Sequence, residues 1–511
     1  MTAWVDFADT VCGIGGADSI SDSVRKIEVI ICQTLPGPFE GKVKCPTVSG
    51  KNKKQETADS VCQFGNNLLG PSNIDCPARA PCVLVRSGDK NMIRLIEALN
   101  YRCLHYVRRP LAPFHVLVGP NASGKTTFLD VIGFLGRLVS DGLEAAVSER
   151  TSNFDDLLFK RQGECFELAI EALIPDKQRQ KLKSEFESIR YEISVGIEPG
   201  GAFGILQEKA WLKKTNVNGY SQSQRRLFPE EPTAPATIIT GTAVKGWQRV
   251  LSKAKGGNDN FYVEVREPGG GKGWFPSIRL GPKKSALANL PEDESKFPVS
   301  TWLKGLLTQG VQMFVLNSLF IRKASPPRQG RGFKPDGSNL PWVIASMKEE
   351  APERFADWID HIRTALPDIK DIQIAVRDDD KHAYLLIHYE GGLVVPSWMA
   401  SDGTLRLLAL TLPAFLPHFL GVYLIEEPEN GIHPSAVETV FQSLSSVYDA
   451  QILLATHSPV ILSQAKAEQV LCFNKTKSGA TDIILGSAHP KLKDWKGQPN
   501  LSVLFASGVL G

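Results

Sequence analysis

Metal-type cysteine pairs are missing from this sequence. Six of the nine cysteines fall before residue 92, at Cys12, Cys32, Cys45, Cys62, Cys76 and Cys82, and none of these is spaced C-x2-C. A zinc ribbon or finger is therefore excluded there. A disulfide framework is conceivable for that segment alone. The opening "MTAWVDFADTVCGIGGADS" is acidic and carries no basic run ahead of an apolar one. No signal peptide is expected, and reduced thiols in a cytoplasmic protein are. An excess of one charge is also missing. The net charge of +3 gives no global pull toward nucleic acid or an anionic membrane, and leaves a local basic surface open. No heptad pattern is sustained, which excludes a long coiled coil, and there is no internal repeat. Nor is there an unbroken apolar run of membrane length. "LLALTLPAFLPHFLGVYLI" (Leu407–Ile425) spans 19 residues without a formal charge. Pro413, Pro417 and His418 break it, and it reads as a helix, a proline-rich turn and a buried strand. No stable membrane insertion is expected.

What is present is an ordinary globular composition, 42% apolar and 22% charged over 511 residues, long enough for two or more domains. Residues 1–91 are rich in Gly, Ser, Pro and Cys and weakly patterned. They read as an irregular extension or a small accessory segment, with "VSGKNKKQETADS" exposed. A sharper expectation is that the working protein begins near Met92, which the intact mass of protein from the native gene would test.

From Met92 the pattern is regular. "MIRLIEAL" alternates like a strand. "FHVLVG" is a short apolar run ending in glycine, and "KTTFLDVIGFLGRLV" carries apolar residues at helical spacing. "FELAIEALI" (Phe166–Ile174) and "YEISVGIEP" (Tyr191–Pro199) are strand-like, with the charged, helical "DKQRQKLKSEFESIR" between them. Residues 200–300 read as irregular and glycine-rich, inside an inserted α+β region at 200–340. Further on, "PERFADWIDHIRTALP" is an amphipathic helix, and "DIQIAVRDD" with "AYLLIHYEGGLVVP" forms hairpin-like strands. "GVYLIEE" and "QILLATHSP" are buried strands. The expectation is an α/β fold with a layered mixed sheet, whose halves at 92–199 and 341–511 flank the insert.

Four stretches carry chemistry. "LVGPNASGKTTFL" fits G-x4-G-K-[ST] through Gly119, Gly124, Lys125 and Thr126. Glycines let backbone N–H groups approach phosphate oxygens, and the following helix offers its positive end to the same anion. Lys125 reaches β- and γ-phosphates and Thr126 offers a hydroxyl to Mg²⁺. In "GVYLIEEPENGIHP" an apolar strand ends in Glu426 and Glu427, at the edge where α/β folds bind ligands. Glu426 suits a Mg²⁺ shell, and Glu427 suits orienting the attacking water. "LLATHSP" repeats that geometry with His457, which can hydrogen-bond a γ-phosphate or the water. "SDGTLRLLALTL" opens a helix at Ser401, taken alone a simple N-cap, and also a phosphate reader.

In chain order, "GPNASGKTT", "SDGTLR", "LIEEPENGIHP" and "ATHSP" resemble the Walker A, signature, Walker B with D-loop, and switch-histidine motifs of ABC-type ATPase heads related to SMC, RecF and OLD proteins. The resemblance spans roughly residues 92–511 and includes "PDGSNLPWVI" and the closing "NLSVLFASGVLG". It implies an ABC/SMC-head-like P-loop NTPase using ATP and Mg²⁺. Gly119, Asn121, Ser123, Gly124, Lys125, Thr126 and Thr127 match the phosphate loop. Ser401 and Gly403 match a signature that, in the family, meets ATP bound to the opposite protomer. Thr126 and Glu426 match the Mg²⁺-associated pair, although relatives usually carry Asp at the second position. Glu427 matches the catalytic glutamate and His457 the switch histidine. Asn430 and Gly431 fall in the D-loop, and Gln162 is the candidate glutamine loop. Too few residues follow His457 for the nuclease domain of OLD enzymes.

The resemblance further implies a homodimer formed on ATP binding. Three functions remain open. One is a DNA-linked ATPase of genome maintenance or anti-phage defence, with double-stranded DNA met by basic runs at Lys177–Lys183 and Arg322–Lys334. Another is an ATP-switched regulator gating a co-encoded effector, a toxin or nuclease. The third is a transporter motor, which needs a membrane partner and a glutamine-bearing signature.

Overall fold

The computed structural model describes residues 92–182, 185–214, 225–241, 244–265, 277–330, 332–417, 419–493 and 503. The readings of residues 1–91, and of nearly all of the closing 500–511, lie outside the described residues.

Strands β1 (Met92–Tyr101) and β2 (Leu104–Pro110) form a hairpin, and β3 (Phe114–Val118) runs into helix α1 (Lys125–Asp141). Next come β4 (Cys165–Leu173), β5 (Phe186–Ile197), β6 (Phe203–Lys214), β7 (Trp247–Ala254), β8 (Asn260–Phe261) and β9 (Val311–Phe314). Strands β10 (Ile369–Val376), β11 (Ala383–Tyr389) and β12 (Val394–Pro396) precede helix α2 (Asp402–Thr411). The last group is β13 (Gly421–Glu426), α3 (Pro434–Ser445), β14 (Ala450–Ala455), α4 (Pro459–Gln464), β15 (Val470–Lys475) and β16 (Thr481–Leu485).

Three sheets result. One has the order β2-β1-β4-β5-β6-β7-β8 and is antiparallel throughout. The second, β16-β15-β3-β14-β13-β9, is parallel except for the β15–β16 pair. The third is the antiparallel β10-β11-β12.

The two-residue period of the parallel strands separates two cores. Leu117, Val422, Leu424, Leu453 and Ala455 join one core with Phe128, Leu129, Ile132 and Leu135 of α1 and with the antiparallel sheet. Val116, Val118, Tyr423, Ile425, Ile452 and Leu454 join the other, with Leu405 and Leu408 of α2 and Val437 and Val440 of α3. A strand buried on both faces needs an unbroken apolar run, which is how "FHVLV" and "GVYLI" read. Full burial of each such Leu, Val or Phe stabilises by roughly 1.5–3 kcal/mol. Polar side chains also join the two sheets, Arg109 of β2 pairing with Asp482 of β16 at 3.7 Å. Gln451 on β14 accepts from the Ile93 N–H and donates to the Ile93 and Ala112 carbonyls, each at 2.9 Å.

Two local expectations change. Residues 203–214 and 247–254, read as irregular, are β6 and β7 of the antiparallel sheet. Among the described residues of the charged stretch after Pro175, Asp176–Leu182 is helical and Phe186 onward is β5. For β5 and β6 one cause is visible. These strands bury charged side chains in pairs, Arg190 with Glu97 at 2.7 Å and Glu192 at 2.6 Å, and Lys213 with Glu171 at 2.5 Å. Such charges read as solvated in one dimension. Among the described residues, no helix is long and apolar enough to cross a membrane.

Candidate functional site

Because β3, β13 and β14 are adjacent and parallel, their C-terminal ends lie together. The three loops leaving them hold the phosphate loop, the Glu426–Glu427 pair and His457. Asn121, Ser123, Gly124, Lys125, Thr126, Thr127, Glu426, Glu427 and His457 line one cavity of about 520 Å³. Two segments more than 300 residues apart in sequence thus share one wall, as ligand sites at strand ends do. Arg102 and Cys103 of the β1–β2 turn and Lys475 of β15 also line it. No signal in the sequence marks those three.

The phosphate loop needs its glycines. Gly119 has φ +152 and Gly124 φ +101. A Cβ on Gly119 would strike the Phe473 carbonyl oxygen, and one on Gly124 the Thr481 hydroxyl. Thr481 braces the loop from behind, donating its hydroxyl to the Ser123 carbonyl and its N–H to the Cys103 carbonyl, both at 2.9 Å. Gly124 caps α1 without a side-chain hydrogen bond, so no side chain satisfies the first-turn N–H groups there, and Gly124, Lys125, Thr126 and Thr127 all line the cavity. Lys125 Nζ donates to the carbonyls of Gly119 at 2.8 Å and Pro120 at 3.1 Å. Burial lowers its pKa to about 8, against the opposing pull of Glu427 and Glu426.

Glu427 takes a left-handed φ of +45, a strained conformation for a non-glycine residue. Its N–H donates to the Ala455 carbonyl at 2.8 Å, and Asn430 Nδ2 donates to its carboxylate at 2.5 Å. Burial and the nearby Lys125 push the His457 imidazole below its usual value, while Glu427 and Glu429 pull the other way. Glu429, given no role from the sequence, accepts from the Thr456 hydroxyl at 2.7 Å and the His457 N–H at 3.0 Å.

Two polar atoms in the cavity wall fit a Mg²⁺–phosphate group. Ser123 Oγ and Glu426 Oε1 are buried with no hydrogen-bond partner among the described residues. One is a hydroxyl on the phosphate loop and the other a carboxylate oxygen at the end of β13, in the cavity that Thr126 also lines. Among the described residues no three His, Cys, Asp or Glu cluster to hold a metal. Mg²⁺ suits such a wall, because it takes one or two protein oxygens and completes its shell with phosphate and water.

Ser401 and Gly403 lie outside the cavity lining. Ser401 Oγ caps α2, accepting from the Thr404 N–H at 3.1 Å, and Asp402 pairs with Arg322 at 2.6 Å. Gly403 and Gly431 are in contact across the α2 N-terminus. Gln162 is exposed and also outside the lining.

The sequence model of one family, described as "AAA domain, putative AbiEii toxin, Type IV TA system", matches residues 114–463. No curated protein matches the chain. Among solved structures, an Smc head bound to the C-terminal winged-helix domain of ScpA is 13% identical, with a TM-score of 0.44, over 77% of this chain and 96% of that one. The Pyrococcus furiosus Smc head with an extended coiled coil, bound to the C-terminal domain of ScpA, is 12% identical, with a TM-score of 0.44, over 79% and 99%. The SMC head domain from Thermotoga maritima is 9% identical, with a TM-score of 0.36, over 77% and 98%. The family match takes in the phosphate loop, the Glu426–Glu427 strand end and His457, and covers well over half of the 511 residues: the chain belongs to this AAA-domain family.

Proposed function

We propose that this protein binds and hydrolyses ATP with Mg²⁺ in the cavity at the ends of β3, β13 and β14. The observation that carries the reading is the convergence of Lys125, Thr126, Glu426, Glu427 and His457 on one wall. The N–H groups of Gly124 to Thr127 and the Lys125 ammonium hold the β- and γ-phosphates. Thr126 Oγ1 and Glu426 hold the metal, whose charge, when it is bound, offsets that developing on the phosphate oxygens. Glu427 accepts a hydrogen bond from the attacking water and aligns it. His457, whose pKa burial and Lys125 lower, donates to the γ-phosphate as charge builds there.

Two chains close on two nucleotides in this reading, with Ser401 and Gly403 of each meeting ATP held by the other. The position of Ser401 outside its own cavity supports this. Glu427→Gln traps ATP unhydrolysed, so with ATP it runs as a dimer in light scattering. A monomer at micromolar concentration overturns the closure.

Hydrolysis serves a DNA-linked process, in defence against phage or in genome maintenance. Turnover measured with and without linear double-stranded DNA, against Lys125→Ala, tests this: stimulation by DNA is expected. A second reading is favoured by three described residues of the basic runs that pair within the chain. Arg179 pairs with Asp176, Lys181 with Glu294 and Arg322 with Asp402. The matching family's description also names a toxin–antitoxin system. Turnover indifferent to DNA, together with a co-purifying effector, supports an ATP-switched regulator of that effector.

A further inference from the structure

Glu429 stands in the loop after β13, two residues beyond Glu427. One carboxylate oxygen accepts from both the Thr456 hydroxyl and the His457 N–H. Thr456 is fully buried, donates its own N–H to the Leu117 carbonyl at 3.1 Å, and accepts from the Ser458 N–H at 2.9 Å. The other oxygen of Glu429 is buried without a hydrogen-bond partner among the described residues. Leaving one buried carboxylate oxygen of a half-buried residue unpaired is costly.

We infer that Glu429 is a positioning residue for hydrolysis, holding His457 at a fixed spacing from Glu427. The inference rests on the hydrolytic reading above. The loop after β13 is stitched to the end of β14 at three successive residues. Glu427 N–H reaches the Ala455 carbonyl, and Glu429 reaches Thr456 and His457. Charge-assisted hydrogen bonds to a carboxylate are short and directional, so the pair of bonds fixes where the His457 backbone sits. The phosphate loop is held separately, by Thr481 and the β1–β2 turn. Loss of Glu429 therefore frees His457 and leaves the phosphate grip in place. The effect belongs in kcat and not in nucleotide affinity.

The test uses the full chain, with ATP for turnover and ATPγS for affinity. Glu429→Ala is expected to lower kcat on the order of 10²-fold, the cost of a misplaced group, with ATPγS affinity changed less than about threefold. Glu429→Gln keeps an acceptor oxygen and recovers most of the rate. Thr456→Val, which removes the hydroxyl donor, lowers kcat in the same direction and adds little to Glu429→Ala in the double variant. Wild-type kcat in Glu429→Ala overturns the inference, and so does a parallel loss of kcat and ATPγS binding. If any variant fails to fold, the others still decide. Equal phosphate release by the wild type and Lys125→Ala is a different failure, that of the hydrolytic reading itself.

Discussion

A Cβ built on Gly403 would lie 2.9 Å from the carbonyl oxygen of Gly431. The start of α2 therefore rests on the backbone of the loop that carries Glu427. Asn430, next to Gly431, donates to the Glu427 carboxylate. Two contacts thus separate the signature-like turn from the carboxylate proposed to orient water. Gly403→Ala is expected to cost about 1–3 kcal/mol, as overpacking against backbone does, and to lower turnover by shifting the loop. Urea denaturation alongside steady-state turnover checks both. Unchanged stability and rate would mean that the contact relaxes freely.

Gly124→Ala is expected to damage nucleotide binding. The residue must hold φ +101, and the new methyl strikes the Thr481 hydroxyl and comes 3.0 Å from Cys103 Sγ. Backbone strain of this kind costs about 1–3 kcal/mol, which is about five- to 150-fold in affinity if borne by the loop. Titration calorimetry with ATPγS reads it directly.

Gln451→Leu should destabilise the fold without touching the cavity. It leaves the Ile93 N–H and the Ile93 and Ala112 carbonyls unpaired inside the protein. An unpaired buried group costs about 1–3 kcal/mol. The melting temperature should fall while ATPγS affinity, in the protein that remains folded, is kept.

His115 on β3 gives the pH dependence a sign. Its Nε2 accepts from the Ala112 N–H at 2.8 Å, so Nδ1 carries the proton and faces the Gln469 carbonyl at 3.0 Å. Burial lowers its pKa from 6.5 to about 4, partly offset by the Gln469 carbonyl. The unfolded chain binds the extra proton first. Stability from this group is complete above pH 6.5 and lost as pH falls toward 4, up to about 3 kcal/mol. Imidazole resonances followed by NMR should show one histidine that stays neutral at pH 5.5. A full titration of all histidines near 6.5 would contradict this.

The phosphate loop and the strand ends were legible because their signals are local. Gly119 to Thr127 is one contiguous pattern, and Glu426 directly follows the apolar strand it terminates. The parallel order that brings β3, β13 and β14 together was legible only as an expectation of class. Strand β6 was illegible for a physical reason. Glu208 is fully buried, held by the Tyr191 and Ser285 hydroxyls and the N–H groups of Ala286 and Leu287, so its charge gave a false sign of exposure. Glu429 was hidden likewise. Its partners lie 27 and 28 residues away, and a lone glutamate in a loop reads as solvated.

The central claim is that Lys125 and Glu427 serve one hydrolytic site. The most direct measurement is Mg²⁺-dependent phosphate release from ATP by the wild type, Lys125→Ala and Glu427→Gln, with ATP binding measured on the same samples. Turnover is expected in the wild type, with a loss on the order of 10²-fold or more in both variants. Binding should be weakened in Lys125→Ala and retained in Glu427→Gln. Equal phosphate release from all three proteins would contradict it.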